Sequence, residues 1–291
     1  MSKVGATDTE SVRETISYKP IGYLRSIFAS KNGTPRQSGL SEYARATITL
    51  SKEIFTNPCH SLHNLDQFSH VWLLWVFHQN VGQAVKAKVS PPRLGGERVG
   101  VFSTRSPHRP NNIGLTLARL EAVEGGVLHL SGIDMVEGTP VLDIKPYIPQ
   151  YDSPQCPQDP QDPQDPQDPQ ATQATPSSSS SEQSPSGVIC PTWVGDHTDD
   201  LRVIFSSRAE ADLVQIDLNR CQWLKSPGEV RAAIRDILRS DPRSVYRKTR
   251  CSDRMYFTEL DGLHVTAWFD PDIEGMEVVK IKHQVNSNLV M

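Results

Sequence analysis

Between Ser153 and Ser186 this 291-residue chain has almost nothing with which to build a core. The stretch is dominated by Pro, Gln, Asp and Ser, with a tandem Gln-Asp-Pro repeat from Gln158 to Pro169 and a serine run from Ser177 to Ser181. Too little apolar surface is present to offset the entropy of ordering, and recurrent prolines favour extended conformations. Residues 153–187 are therefore read as a disordered linker. They divide the chain into one domain over 19–152 and a second over 188–291.

The split changes what the overall charge means. The formal net charge is −4, yet Lys19 to Gln150 holds 14 Lys+Arg against 9 Asp+Glu. Tyr151 to Gly187 carries six acids and no base, and Val188 to the end is nearly balanced, 14 against 16. An acidic total thus does not exclude a nucleic-acid partner, because binding depends on a local basic face. No apolar run approaches the ~20 residues that span a bilayer. Met1 to Lys19 is polar and lacks the apolar core of a secretory signal. The five cysteines form no C-x-x-C pair and are odd in number, so free thiols are expected rather than a disulfide framework or a zinc site. Cytosol or nucleus is the expected compartment, with no membrane and no metal.

The first domain reads as mainly β. Ala46, Ile48 and Leu50 alternate on one face of Ala44–Leu50. His70–His78 is a continuous apolar run, expected to be a strand buried on both faces. Further strands are expected near Lys19–Ser26, Val99–Ser103, Leu115–Val123, Val127–Gly132 and Pro140–Ile148, with turn residues such as Glu124-Gly-Gly between them. So many short strands in about 130 residues indicate a closed or nearly closed barrel. The second domain is smaller and α+β. Helices are expected over Ser207–Leu218 and Pro227–Ser240, the latter with Val230, Ile234, Ile237 and Leu238 on one face and Arg231, Arg235 and Arg239 on another. Strands are expected at Met255–Leu260, Leu263–Phe269 and Met276–His283.

Three polar clusters in the first domain can carry chemistry. Gly33-Thr-Pro-Arg-Gln-Ser-Gly is a loop in which Arg36 and Gln37 offer donors. Pro91 to Gly114 is dense in Arg, Gly and Pro, with Arg105, Arg109, Asn111 and Asn112 close together, as a phosphate, carboxylate or RNA contact would need. Asp134 to Tyr147 is a turn leading into a strand, where strict alternation puts Val141, Asp143 and Lys145 on one face as a polar pocket wall. No phosphate-binding loop, strand-linked G-x-G-x-x-G or Ser-His-Asp pattern is present, which argues against nucleotide hydrolysis and Rossmann-type cofactor binding. In the second domain, Arg231 to Arg254 carries eight bases against three acids. Tyr246 lies among them and is suited to stacking on an unpaired base.

At these clusters the chain strongly resembles the TsaA-like (TrmO) family. The motifs are Pro35-Arg-Gln, Phe68-Ser-His-Val-Trp, Phe77-His-Gln, Pro92-Arg-Leu-Gly-Gly, Thr104-Arg-Ser, Arg109-Pro-Asn and Asp134 through Tyr147, in one order over roughly Pro20 to Tyr151. Asp241-Pro-Arg-Ser-Val-Tyr-Arg-Lys resembles the family's second domain. The resemblance implies a single-sheeted β-barrel that binds S-adenosylmethionine. It implies methyl transfer to the exocyclic nitrogen of N6-threonylcarbamoyladenosine at position 37 of the tRNA anticodon loop, by a homodimer. Carried over by motif, the cofactor contacts are Pro35, Arg36, Gln37, His78, Gln79, Arg105, Leu115, Asp134, Met135, Val136 and Glu137. Asp143 and Lys145 are candidates for positioning the base. Arg109, Arg243, Tyr246, Arg247 and Lys248 are candidates for the tRNA anticodon arm. The long linker departs from the short connection of the bacterial pattern, so the sequence does not fix how the second domain is oriented. Two rival functions remain: a binding module that keeps the barrel without catalysis, and a methyltransferase acting on a protein or small molecule.

Overall fold

The computed structural model describes residues 16–80, 84–91, 94–153, 191, 200–251 and 254–284. The linker expected at 153–187 lies outside the described residues except for Ser153, and so do Pro92 and Arg93.

Six strands close the first domain into an antiparallel barrel: β1 (Gly22–Ser26), β2 (Ala46–Leu50), β3 (His70–Val76), β6 (Ile113–Glu124), β7 (Val127–Ser131) and β8 (Pro140–Pro146). Their order around the barrel is β1-β2-β7-β6-β3-β8. Closure rests on the short β1–β8 seam, where Gly22 faces Val141 and Tyr23 faces Pro140. β4 (Lys88–Val89) and β5 (Val99–Gly100) form a separate two-stranded ribbon outside the barrel. The expected strand at Val99–Ser103 is therefore corrected: two residues pair with β4, and Val101–Ser103 turns into a 3-10 helix that buries only Val101. Short α1 (Pro58–Ser61) and α2 (Pro149–Asp152) flank the barrel strands.

Alternation accounts for most of this domain. Leu24, Ala46, Ile48, Leu50, Leu128 and Leu130 point into the barrel, each buried leucine or isoleucine stabilising the fold by about 1.5–3 kcal/mol. β3 departs from expectation in being buried on one face. Val71, Leu73 and Trp75 enter the core, while Trp72, Leu74 and Val76 are half-covered on the outside. β8 departs more sharply. Its pairing with β3 shifts register between Leu74 and Trp75, so that Asp143 faces Leu74 but Val141 faces Trp75. A bulge at Leu142 thus breaks strict alternation. Val141 turns to the core, Ile144 packs against it, and Asp143 and Lys145 lie on the outer face.

The second domain is a four-stranded sheet ordered β10 (Met255–Leu260), β11 (Leu263–Asp270), β12 (Gly275–His283), β9 (Arg202–Phe205), with β9 parallel to β12. Helices α3 (Ser207–Gln215) and α4 (Pro227–Arg239) cover the β9–β12 side. α4 begins as its residues dictate: the Ser226 side chain accepts the Glu229 N–H at 3.2 Å, and Pro227 occupies the first turn. Its expected stripe of Val230, Ile234, Ile237 and Leu238 is buried. α5 (Val245–Arg250) follows.

The two domains share one continuous apolar core. Polar contacts fix their orientation. Ser41 donates to Asp236 at 2.7 Å, and Arg45 donates to Glu229 and to the Trp223 carbonyl. At the β10–β11 turn the Asp261 carboxylate accepts the N–H groups of Gln222, Trp223 and Leu224, while its own N–H donates to the Ile27 carbonyl at 3.0 Å. Gly33 is required here for two reasons. Its φ is +93°, and a Cβ at this position would lie 1.6 Å from Thr258 Oγ1.

Candidate active site

A cleft of about 1370 Å³ opens between the barrel and the second domain. Its barrel wall comes from the Gly33–Gln37 loop, β3, the start of β6 and Asp134; its outer rim comes from residues 86–109; its far wall comes from Ile237 and Ser240–Pro242. The chain is shaped for this space at Gly114, where a Cβ would come within 2.3 Å of the Trp75 indole.

Deep in the cleft, Trp75 Nε1 donates to Thr116 Oγ1 at 2.9 Å, and Thr116 donates to Asp134 Oδ1 at 2.5 Å. Burial raises the Asp134 carboxyl above its ordinary value, although the Thr116 hydrogen bond and the charge of Arg105 oppose the shift. The carboxyl is partly exposed to the cleft, and a cation bound beside it would favour its ionised form. Arg105 lines the same cleft and makes no hydrogen bond or ion pair with the described residues. His108 also lines it. Its Nδ1 is buried without a partner, and burial together with Lys86 and Lys31 lowers its pKa, which keeps the ring neutral at neutral pH.

Seven bases line the cleft: Arg36, Lys86, Lys88, Arg98, Arg105, Arg109 and Lys248. Three acids line it, and two are already paired, Asp200 with Arg239 at 2.6 Å and Asp241 with Arg243 at 2.8 Å and with Lys248 at 2.9 Å. The cleft is electropositive.

Of the residues singled out in the sequence, Pro35, Arg36, Gln37, Arg105, Arg109, Leu115, Asp134 and Lys248 converge on this cleft. Arg36 has a second attachment. It donates to the carbonyls of Pro242 and Arg243, at 3.0 and 2.9 Å, and burial depresses its pKa against the opposing charges of Asp241 and Tyr256.

The others sit elsewhere. His78 and Gln79 lie on a 3-10 turn after β3, where Lys31 donates to the Gln79 carbonyl at 2.9 Å. Met135 is buried in the core, its carbonyl accepting from the Ser26 hydroxyl, and the Val136 carbonyl accepts from the Thr139 hydroxyl. Glu137 accepts the Ser26 N–H at 2.6 Å, closing the turn before β8. Asp143 and Lys145 form an ion pair at 2.7 Å on the outer barrel face and do not line the cleft, so the expected pocket wall is corrected by the bulge at Leu142.

Arg243 is not presented to solvent. It is buried, forked onto Asp241, with its guanidinium 3.8 Å from the centre of the Phe269 ring. Burial opposes ionisation of Asp241, but hydrogen bonds from Arg243 and Lys248 outweigh it and hold that carboxyl below its ordinary range. Tyr246 is exposed, and Arg247 donates to the Met255 carbonyl at 2.9 Å. Lys86, Lys88 and Phe102 were not singled out from the sequence. The density of bases after Val85 is the signal that could have found them. Among the described residues, no group of three or more His, Cys, Asp or Glu could hold a metal, and no helix is long and apolar enough to cross a membrane.

A barrel closed by six antiparallel strands, with an α+β domain docked over an electropositive cleft of nucleotide size, defines the class of protein. Comparisons with known proteins narrow it. Residues 23–153 match the family described as tRNA-methyltransferase O N-terminal domain, and residues 198–284 match the TrmO C-terminal domain. A tRNA (adenine(37)-N6)-methyltransferase of Homo sapiens is 66% identical over 137 residues, which span 47% of this chain and 31% of that protein. The protein of the same name from Escherichia coli strain K12 is 32% identical, over 92% of this chain and 98% of its own length. The crystal structure of TrmO from Pseudomonas aeruginosa superposes with a TM-score of 0.60 at 32% identity, covering 92% of this chain and all of that one. The chain belongs to the TrmO family.

Proposed function

We propose that this chain is an S-adenosylmethionine-dependent methyltransferase acting on adenine 37 of tRNA, at the exocyclic nitrogen of N6-threonylcarbamoyladenosine. The observation that carries this reading is the charge of the cleft. S-adenosylmethionine has a sulfonium, an ammonium and one carboxylate, and is a net cation. One half-buried carboxylate, Asp134, and one guanidinium without an ion pair among the described residues, Arg105, match those groups. The remaining cations exceed what such a cofactor could neutralise. They suit a second, anionic substrate: a phosphate backbone and the threonylcarbamoyl carboxylate.

When bound, the cofactor supplies a methyl group on sulfonium that is already a strong electrophile, so little acid or base power is required. The chain's task is to align the acceptor nitrogen with that methyl and to exclude water. Asp134, braced by Thr116 and Trp75, holds the cationic portion. Arg105 binds the carboxylate, and the Gly33–Gln37 loop and Leu115 bound the space around it. The second domain forms the far wall of the cleft, where Lys248 is paired with Asp241 at 2.9 Å and the exposed Tyr246 is offered to the anticodon arm. The family's homodimer belongs to the same proposal, and light scattering of the purified chain tests it. A compartment in which tRNA is modified, cytoplasm or nucleus, follows from the substrate.

The direct test is methyl transfer from labelled S-adenosylmethionine to tRNA with or without the threonylcarbamoyl group. Label confined to the modified tRNA is expected. Cofactor binding without label in tRNA would favour another acceptor, and absence of cofactor binding would favour a non-catalytic binding module.

A further inference from the structure

Val101 and Phe102 are neighbours on one 3-10 turn with opposite fates. Val101 is 4% exposed and is the buried residue of the turn; Phe102 is 75% exposed and lines the cleft at its rim. The ring is not loose. Arg109 places its guanidinium 5.5 Å from the ring centre. Arg109 is itself held by the Thr104 carbonyl at 2.6 Å and contacts the Val101 carbonyl at 3.4 Å. One face of an exposed aromatic ring is thus capped by a fixed cation, and cations stand nearby along the rim at Lys88 and Arg98. A single exposed apolar side chain is ordinary on a protein surface. An aromatic ring braced by arginine inside an electropositive cleft has the composition of a nucleobase platform, in which the ring stacks and the cations follow the backbone.

We infer that Phe102 is the stacking platform for the target adenine of the RNA. This deepens the proposed function and rests on it. Two adenines could enter the cleft, the cofactor's and the RNA's. The position of Phe102 favours the second. The carboxyl proposed for the cofactor's cationic portion, Asp134, is set against the buried Trp75–Thr116 wall, whereas Phe102 projects at the rim near Lys88 and Arg98, which have no acid to balance them among the described residues.

The test is a two-by-two binding cycle with anticodon stem-loop RNA carrying either adenine or an abasic site at position 37. Wild-type protein is expected to lose about tenfold in affinity when the base is removed, the scale of one base–aromatic stack. Phe102→Ala is expected to bind both RNAs equally, at the weaker level, and Phe102→Trp to restore the difference. Cofactor affinity, measured by calorimetry, should be unchanged in both variants, which also reports that they fold. Loss of cofactor affinity in Phe102→Ala would move the stack to the cofactor's adenine and overturn the inference. Equal binding of both RNAs by wild type, or an unaltered base dependence in Phe102→Ala, would also overturn it. The cycle needs no turnover, so its failure is separable from absence of methyl transfer, which would instead overturn the proposed function.

Discussion

The deep end and the rim of the cleft are built on opposite principles. At the deep end, Trp75, Thr116 and Asp134 form a chain of hydrogen bonds within the barrel wall, and each donor has an acceptor. At the rim, Lys88 stands on a two-residue ribbon strand, Lys86 and Arg98 in the segments leading into that ribbon, and Phe102 on the turn after it, with more positive charge than the protein balances. Fixed geometry in the barrel wall suits a small molecule that must be aligned. Surplus charge on exposed elements suits a large polyanion that brings its own shape. The same cleft therefore separates precision from capture by depth.

The contrast can be broken at the loop that ties the deep end to the second domain. Gly33→Ala would place a methyl group against Thr258 at a backbone angle that only glycine adopts freely, and should lower stability by about 3 kcal/mol in urea unfolding. Asp134→Asn removes the countercharge at the deep end. Cofactor affinity should fall about 30-fold by calorimetry, with stem-loop RNA affinity spared. If RNA binding fell equally, depth would not separate the two functions.

The raised pKa of Asp134 gives a pH test with a definite sign. A cationic ligand favours the ionised carboxyl, so cofactor affinity should weaken as pH falls through that raised value and approach the Asp134→Asn level. The asparagine variant should lack this dependence. At the rim, Lys86→Ala should weaken RNA binding a few-fold and lower the salt slope by about one, leaving the cofactor untouched. The smallest effect is expected at Asp143→Ala. The pair with Lys145 is half-exposed on the outer face, and such pairs contribute about 0–1 kcal/mol. A large loss of turnover there would show that the outer barrel face also takes part.

What could be read beforehand depended on whether the signal was local. The alternation of Ala46, Ile48 and Leu50 gave their strand, and the stripe on α4 gave its buried face, because each pattern is complete within one element. β9 and α5 were missed. β9 is four residues long and becomes a strand by pairing with β12, and α5 is a six-residue helix in a basic segment with no apolar stripe. The bulge at Leu142 was invisible because it arises from register against β3, and one residue of slip reassigns every later side chain on the strand. Arg105 and Asp134 were legible as a pair from separate motifs, and both line the cleft. Arg243 was misleading, because Asp241 two residues earlier captures it and buries it against Phe269. Met135 and Glu137 came along with their motif, but here they support the turn that presents Asp134.

The hydrogen bonds from Arg36 to the Pro242 and Arg243 carbonyls have a thermodynamic corollary. The guanidinium belongs to the Gly33–Gln37 loop of the barrel, yet its acceptors belong to the domain over the cleft. A ligand that changes the free energy of that junction changes the affinity of the other face by the same factor, and the second ligand must return the same factor to the first. Cofactor and RNA titrations, each run with and without the other ligand, form a closed cycle. A single number from that cycle measures how strongly one arginine makes two domains behave as one receptor.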